Sequence, residues 1–123
     1  MMNIDQIRQE NMTKGLSQSE LMADPLKQFE TWYEQVINAE IYEPGAMTLA
    51  TVDEDGQPWQ RIVLLKLFDE KGFVFFTNYE SRKAKQIANN PNVSLSFPWH
   101  PFARQVKITG KAEKVTTAES LSY

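Results

Sequence analysis

The sequence predicts a mainly β protein with flanking helices, built as an antiparallel β-barrel. Three observations carry that prediction. Apolar residues change from helical spacing to alternation at Ala46, the alternating runs are short and joined by Asp- and Gly-rich turns, and one short helical stretch opened by Ser81 interrupts them. At 123 residues the chain is one domain by length.

The elements follow in order. Ile4 to Asn11 reads as a short helix or a flexible arm, and Met12 to Ala23 as a loop, so residues 1–23 form an N-terminal arm. Asp24-Pro25 then opens a helix, with aspartate at the N-cap and proline at the first helical position. Phe29, Trp32, Tyr33, Val36 and Ile37 form its apolar stripe, and Pro44-Gly45 closes the segment. Met47–Val52 is a strand, turned at Asp53-Glu54-Asp55-Gly56 into a long second strand, Trp59–Phe68. Asp69–Gly72 turns again into Phe73–Thr77. Ser81 caps a helix over Arg82–Asn89, with Ala84, Ile87 and Ala88 expected to face the sheet. Val93–Phe97 alternates cleanly. Gln105–Val115 is a further strand, with Gly110 as a bulge or a point of close approach. Thr116-Thr117-Ala118-Glu119 reads as a capping box opening one more helix.

Composition bounds the function. No apolar run reaches the ~18 residues of a membrane span, and the N-terminus lacks a signal-peptide core. Cysteine is absent, which removes disulfide and thiolate-metal sites; the cytoplasm is the expected location. The net charge of −3 conceals an asymmetry. Up to residue 60 the strong cations are Arg8, Lys14 and Lys27; from Arg61 onward come Lys66, Lys71, Arg82, Lys83, Lys85, Arg104, Lys107, Lys111 and Lys114. An acidic chain whose cations are dispersed among strands fits a small anionic ligand better than nucleic acid.

The cations suggest where such a ligand sits. Arg61 and Lys66 end an apolar strand, five positions apart, so a regular strand points them to opposite faces, one toward a cofactor and the other toward a substrate. Arg82 and Lys83 lie at a helix start, where backbone N–H groups also favour an anion. The alternative for each cluster is a solvated, salt-bridged surface. Thr77 and Gln105 could hydrogen-bond a heterocycle, although strand propensity accounts for Thr77 equally well. His100, between Trp99 and Pro101, reads as structural or superficial. No metal motif, nucleophile elbow, phosphate-cradling glycine loop or dinucleotide fingerprint is present.

Several ordered blocks resemble the pyridoxine/pyridoxamine 5′-phosphate oxidase family: Arg61-Ile62-Val63-Leu64-Leu65-Lys66, Phe76-Thr77-Asn78, Ser81-Arg82-Lys83-Ala84, Asn89-Asn90-Pro91, Phe97-Pro98-Trp99-His100 and Arg104-Gln105-Val106, with Asp24-Pro25, Phe29 and Trp32 in the first long helix. The resemblance runs from about Ile7 to Tyr123. It implies an antiparallel Greek-key split β-barrel of the FMN-binding type over residues 24–123, truncated at its C-terminal end, and a homodimer with FMN at the subunit interface. It implies flavin contacts at Arg61, Ile62, Val63, Leu64, Leu65, Lys66, Phe76, Thr77, Arg82, Lys83 and Gln105, and substrate contacts at Arg8, Lys66 and Tyr123. Asn11 stands where the family usually has tyrosine, and Phe76 where tyrosine is also common. The implied reaction is oxidation of pyridoxine or pyridoxamine 5′-phosphate to pyridoxal 5′-phosphate with dioxygen as acceptor. Family chains continue through an arginine- and serine-rich segment, so the sequence is expected to be a fragment. The competing expectation is a non-catalytic module that binds FMN or another phosphate ligand.

Overall fold

The computed structural model describes residues 5–6, 9–10, 12, 21–76 and 81–115. Arg8, Asn11, Thr77, Tyr123 and the Thr116–Glu119 capping box therefore lie outside the described residues. Within the arm, the described residues 5–6, 9–10 and 12 are helical.

Helix α1 (Pro25–Asn38) starts where the sequence places it: the Asp24 carboxylate accepts the Leu26 N–H at 2.9 Å, and Pro25 lacks the N–H that would need a partner. It stops earlier than Pro44-Gly45 suggests. Glu40 turns left-handed (φ 57°) and its N–H bonds to the Ile37 carbonyl at 3.0 Å, which closes the last turn. Phe29 and Val36 are buried and Trp32 and Tyr33 half-buried, whereas Ile37, expected in the stripe, is exposed.

Five strands follow: β1 (Ala46–Val52), β2 (Pro58–Asp69), β3 (Gly72–Phe75), β4 (Asn92–Phe97) and β5 (Val106–Lys111), with helix α2 (Arg82–Asn89) between β3 and β4. The first turn is fixed by Asp53, whose Oδ1 accepts the N–H groups of Asp55 and Gln57 at 2.9 Å each, and by Gly56 at φ 84°. At the second, Asp69 accepts from the Lys71 N–H at 2.8 Å. All pairings are antiparallel, in the order β3-β2-β1-β4-β5. β4 returns beside β1 after the β1-β2-β3 meander, which is the Greek-key arrangement.

Three strand expectations change. β3 ends at Phe75, which leaves Phe76 outside the strand. β5 begins at Val106 and ends at Lys111, short of Val115. Gly110 is neither a bulge nor a close-approach point: it pairs in register with Val93, and a Cβ there would meet open space. The register shift lies instead in β2, between Leu65 and Leu67.

Met47, Leu49 and Thr51 alternate onto one face of β1 and are fully buried; Val63, Leu95 and Phe97 join them from β2 and β4. Phe29 of α1 drops into this face, with ring centroids 4.8–5.5 Å from those of Tyr33, Phe68, Phe73, Phe97 and Trp99. Burying one such ring is worth about 1.5–3 kcal/mol by transfer alone. The opposite face of β2 stays open, with Ile62 at 62% and Leu64 at 51% exposure. Among the described residues no helix is long and apolar enough to cross a membrane.

Candidate functional site

At the Val52 end of the core face the apolar packing gives way to a polar cluster. Arg61 shares the face of Val63 and Leu65 and extends its guanidinium beneath α2. Its Nη1 donates to the Leu49 carbonyl (3.1 Å), the Thr51 hydroxyl (2.7 Å) and, more weakly, the Trp59 carbonyl (3.4 Å); Nη2 donates to Gln86 Oε1 (3.2 Å). The Thr51 hydroxyl in turn donates to Gln86 Oε1, closing a three-residue ring. Thr51 has no exposed surface and Gln86 only 6%. Every acceptor of Arg61 is neutral, and among the described residues no carboxylate lies within ion-pair distance of it.

A second guanidinium stands beside the first. Ser81 caps α2 by accepting the Ala84 N–H at 3.3 Å, which sets Arg82 at the first helical position. Arg82 lies over the Trp59 ring at 4.3 Å, and the Trp59 indole N–H donates to Asp53 Oδ2 at 3.0 Å. Burial first and the neighbouring Arg82 charge second pull the Arg61 guanidinium below its ordinary pKa. The Trp59 and Gln57 hydrogen bonds, with a smaller contribution from Arg82, hold Asp53 below the usual carboxylate value. Asp53, Glu54, Trp59, Arg82, Lys85, Gln86 and Asn89 line an open cleft of about 420 Å³ above this cluster. Two like charges, one held by neutral groups and partly buried, form a place where an anion would relieve both repulsion and desolvation.

The other predicted residues distribute around this centre. Ile62, Leu64 and Lys66 are exposed on the reverse face of β2, so Arg61 and Lys66 do point apart. The Lys66 ammonium sits 5.7 Å from the centroid of the exposed Phe76 ring. Val63 is buried in the core and Leu65 half-buried, which limits them to backbone contacts with a ligand. Lys83 follows Arg82 on α2. Gln105 is exposed and precedes β5, at the far edge of the sheet. β1 and β4 separate it from β2, which at ~4.8 Å per strand is about 14 Å along the sheet. Its neighbour Arg104 serves the core instead: it stacks on Trp32 at 4.5 Å and donates to Gln35 Oε1 at 2.8 Å. His100 is exposed at the start of a single 3₁₀ turn, His100–Phe102, and its carbonyl accepts the Ala103 N–H.

Gln86 and Thr51 are the residues that the sequence reading missed. Of Ala84, Ile87 and Ala88, expected to face the sheet, Ile87 packs against the core and Ala84 is half-buried, but Ala88 is exposed and Gln86 is the buried residue of α2. Gln86 faces inward, where Arg61 and Thr51 bond its amide oxygen.

Comparison with known proteins places this geometry. The profile of the family described as Pyridoxamine 5'-phosphate oxidase matches residues 33–123. A pyridoxine/pyridoxamine 5'-phosphate oxidase of Shewanella amazonensis is 58% identical over the whole chain, and one of Rippkaea orientalis is 57% identical over 99% of it. The chain spans 58% of the length of each. Among solved structures, PhzG from Burkholderia lata, in complex with tetrahydrophenazine-1-carboxylic acid, superposes with a TM-score of 0.77 at 26% identity, covering 82% of this chain and 50% of that one. A pyridoxamine 5'-phosphate oxidase-related, FMN binding protein from Nostoc punctiforme shares the fold at a TM-score of 0.62 and 22% identity, covering 83% and 55%.

Proposed function

This chain belongs to the pyridoxamine 5'-phosphate oxidase family, and from that premise we propose that it supplies the FMN-binding part of an oxidase acting on pyridoxine or pyridoxamine 5′-phosphate. The observation that carries the reading is the pair Arg61 and Arg82, brought together with only neutral acceptors on Arg61. Both arginines and Lys83 would neutralise the FMN phosphate, Arg through a planar fork and Lys as a compact charge. The exposed Ile62, Leu64 and Phe76 side chains offer a flat ring an apolar surface, and the extended backbone of Arg61–Lys66 offers hydrogen bonds along its edge, to which Thr77 would add its hydroxyl.

When bound, FMN supplies the two-electron acceptor for a hydride from the substrate's 4′ carbon, and dioxygen restores it with release of hydrogen peroxide. The chain's own task is to bind and orient. Lys66, on the outward face, meets the substrate, with Arg8 and Tyr123 contributing to its hold. Gln105 lies too far along the sheet to reach the same ring from within one protomer, so in this reading it serves the site of a second copy in a homodimer, with the exposed β2 face at the interface. The setting is cytoplasmic.

The test is the flavin absorption spectrum of the chain loaded with FMN and freed of excess, before and after anaerobic pyridoxine 5′-phosphate. Bleaching of the flavin band is the expected result. A retained, unbleached band supports the second reading, a flavin module without oxidase activity. Loss of the flavin refutes FMN binding by this part of the protein alone.

A further inference from the structure

We propose that Gln86, with Thr51, is a positioning residue that aims the Arg61 guanidinium at an anionic ligand while leaving its charge uncancelled. The inference rests on the reading of Arg61 as a contact to the FMN phosphate. α2 has apolar residues available, yet it buries an amide. A buried amide is costly unless hydrogen-bonded, and the acceptor oxygen of Gln86 is satisfied twice, by the Thr51 hydroxyl and by Arg61 Nη2. Thr51 is held in turn: fully buried, it accepts from Arg61 Nη1 and donates to Gln86.

The chemistry of the acceptors decides between anchoring and aiming. A helix that only needed attachment could use a leucine at position 86. A helix that needed the strongest bond to Arg61 would use glutamate, and the ion pair would then cancel the charge that a phosphate requires. Glutamine, a hydroxyl and two backbone carbonyls fix the direction of the guanidinium and leave its full charge in place. Gln86 and Arg82 both line the open cleft, so the guanidinium that Gln86 holds lies directly behind its wall, where an anion drawn to Arg82 would also feel the charge of Arg61.

The test measures FMN dissociation constants by quenching of flavin fluorescence, with thermal melts in parallel, on the full chain and five variants. Gln86→Leu and Thr51→Val should weaken FMN binding about tenfold, the weight of one hydrogen bond to a charged group. Thr51→Ser, which keeps the hydroxyl, should stay within about twofold of the parent. Gln86→Glu should bind FMN more weakly than Gln86→Leu near neutral pH and recover toward the parent as the pH falls to about 4–5, where a carboxyl protonates. Asp53, Glu54, Arg82 and Lys85, which line the same cleft, are common to both chains, so the ratio of variant to parent isolates the new carboxyl. A merely anchoring Gln86 predicts parental or better affinity for Gln86→Glu and a flat ratio with pH, and that result overturns the proposal.

Arg61→Ala separates the two layers. If it weakens FMN binding while the Gln86 and Thr51 variants do not, aiming fails and the site reading stands. If Arg61→Ala leaves the affinity unchanged, or if the parent chain binds no FMN, both fail. Should Gln86→Leu not fold, the Thr51 pair and Gln86→Glu decide the question.

Discussion

Helix α1 meets the sheet through Phe29 and Val36, and helix α2 meets the same face through Gln86, with Ile87 packed beside it. Under α1 the contacts are ring against ring, non-directional and satisfied within the chain. Under α2, beside the apolar contact of Ile87, hydrogen bonds are added, directional and centred on a cation that has no opposite charge among the described residues. Arginine and tryptophan occur in both places. Arg104 on Trp32 binds the β4–β5 connection to α1, whereas Arg82 on Trp59 stands beside a second arginine over an open cleft. The difference lies in how many charges the cluster holds and whether it is closed.

Substitutions can break that contrast. Phe29→Ala, at the centre of the ring cluster, should destabilise the fold by about 3–5 kcal/mol in chemical denaturation, the range for aromatic truncation in a core. A loss below about 1 kcal/mol would show that α1 is not the main anchor. Arg82→Ala or Lys83→Ala should weaken FMN binding by about 1–3 kcal/mol in fluorescence titration, with little change in melting. Unchanged affinity in both variants would sink the phosphate assignment. Lys66→Ala should weaken pyridoxine 5′-phosphate about tenfold in equilibrium titration of the FMN-loaded protein, while shifting stability by less than about 0.5 kcal/mol. An equal effect on folding would move Lys66 from the site to the scaffold.

The smallest effect concerns Asp53 at the edge of the cleft. Its pKa is depressed in the folded state, so its contribution to stability is complete above the unfolded carboxylate value of 3.8 and is lost as the pH falls through the lower folded value. Asp53→Asn should therefore flatten the acid limb of the stability profile, narrowing the difference in melting temperature between about pH 6 and about pH 3. An unchanged limb would mean that the bonds from Trp59 and Gln57 do not depend on ionisation.

Much of this architecture is legible because its signals are local. Asp24-Pro25 starts α1, Asp53 and Gly56 make the first turn, and alternation marks β1 and β4, each decided by residues within a few positions. What escaped depends on partners distant in sequence. Nothing near residue 86 indicates that Arg61, twenty-five positions away, bonds an inward-facing glutamine. Nothing near Gln105 indicates that β4 pairs with β1 and so carries β5 to the far edge. Gly110 misled for a related reason: a glycine inside a strand suggests a bulge, but here the ladder passes through it unbroken.

The placement of Trp59 gives the molecule a native optical sensor. Trp99 is buried in the core and Trp32 lies under Arg104, so of the three indoles Trp59 is the one bonded to Asp53 and stacked beneath Arg82 at the rim of the cleft. A colourless anion such as inorganic phosphate that draws Arg82 off the ring would change the local field at that indole. Its arrival could then be followed as a shift in ultraviolet emission, without a dye, a flavin or a turnover assay.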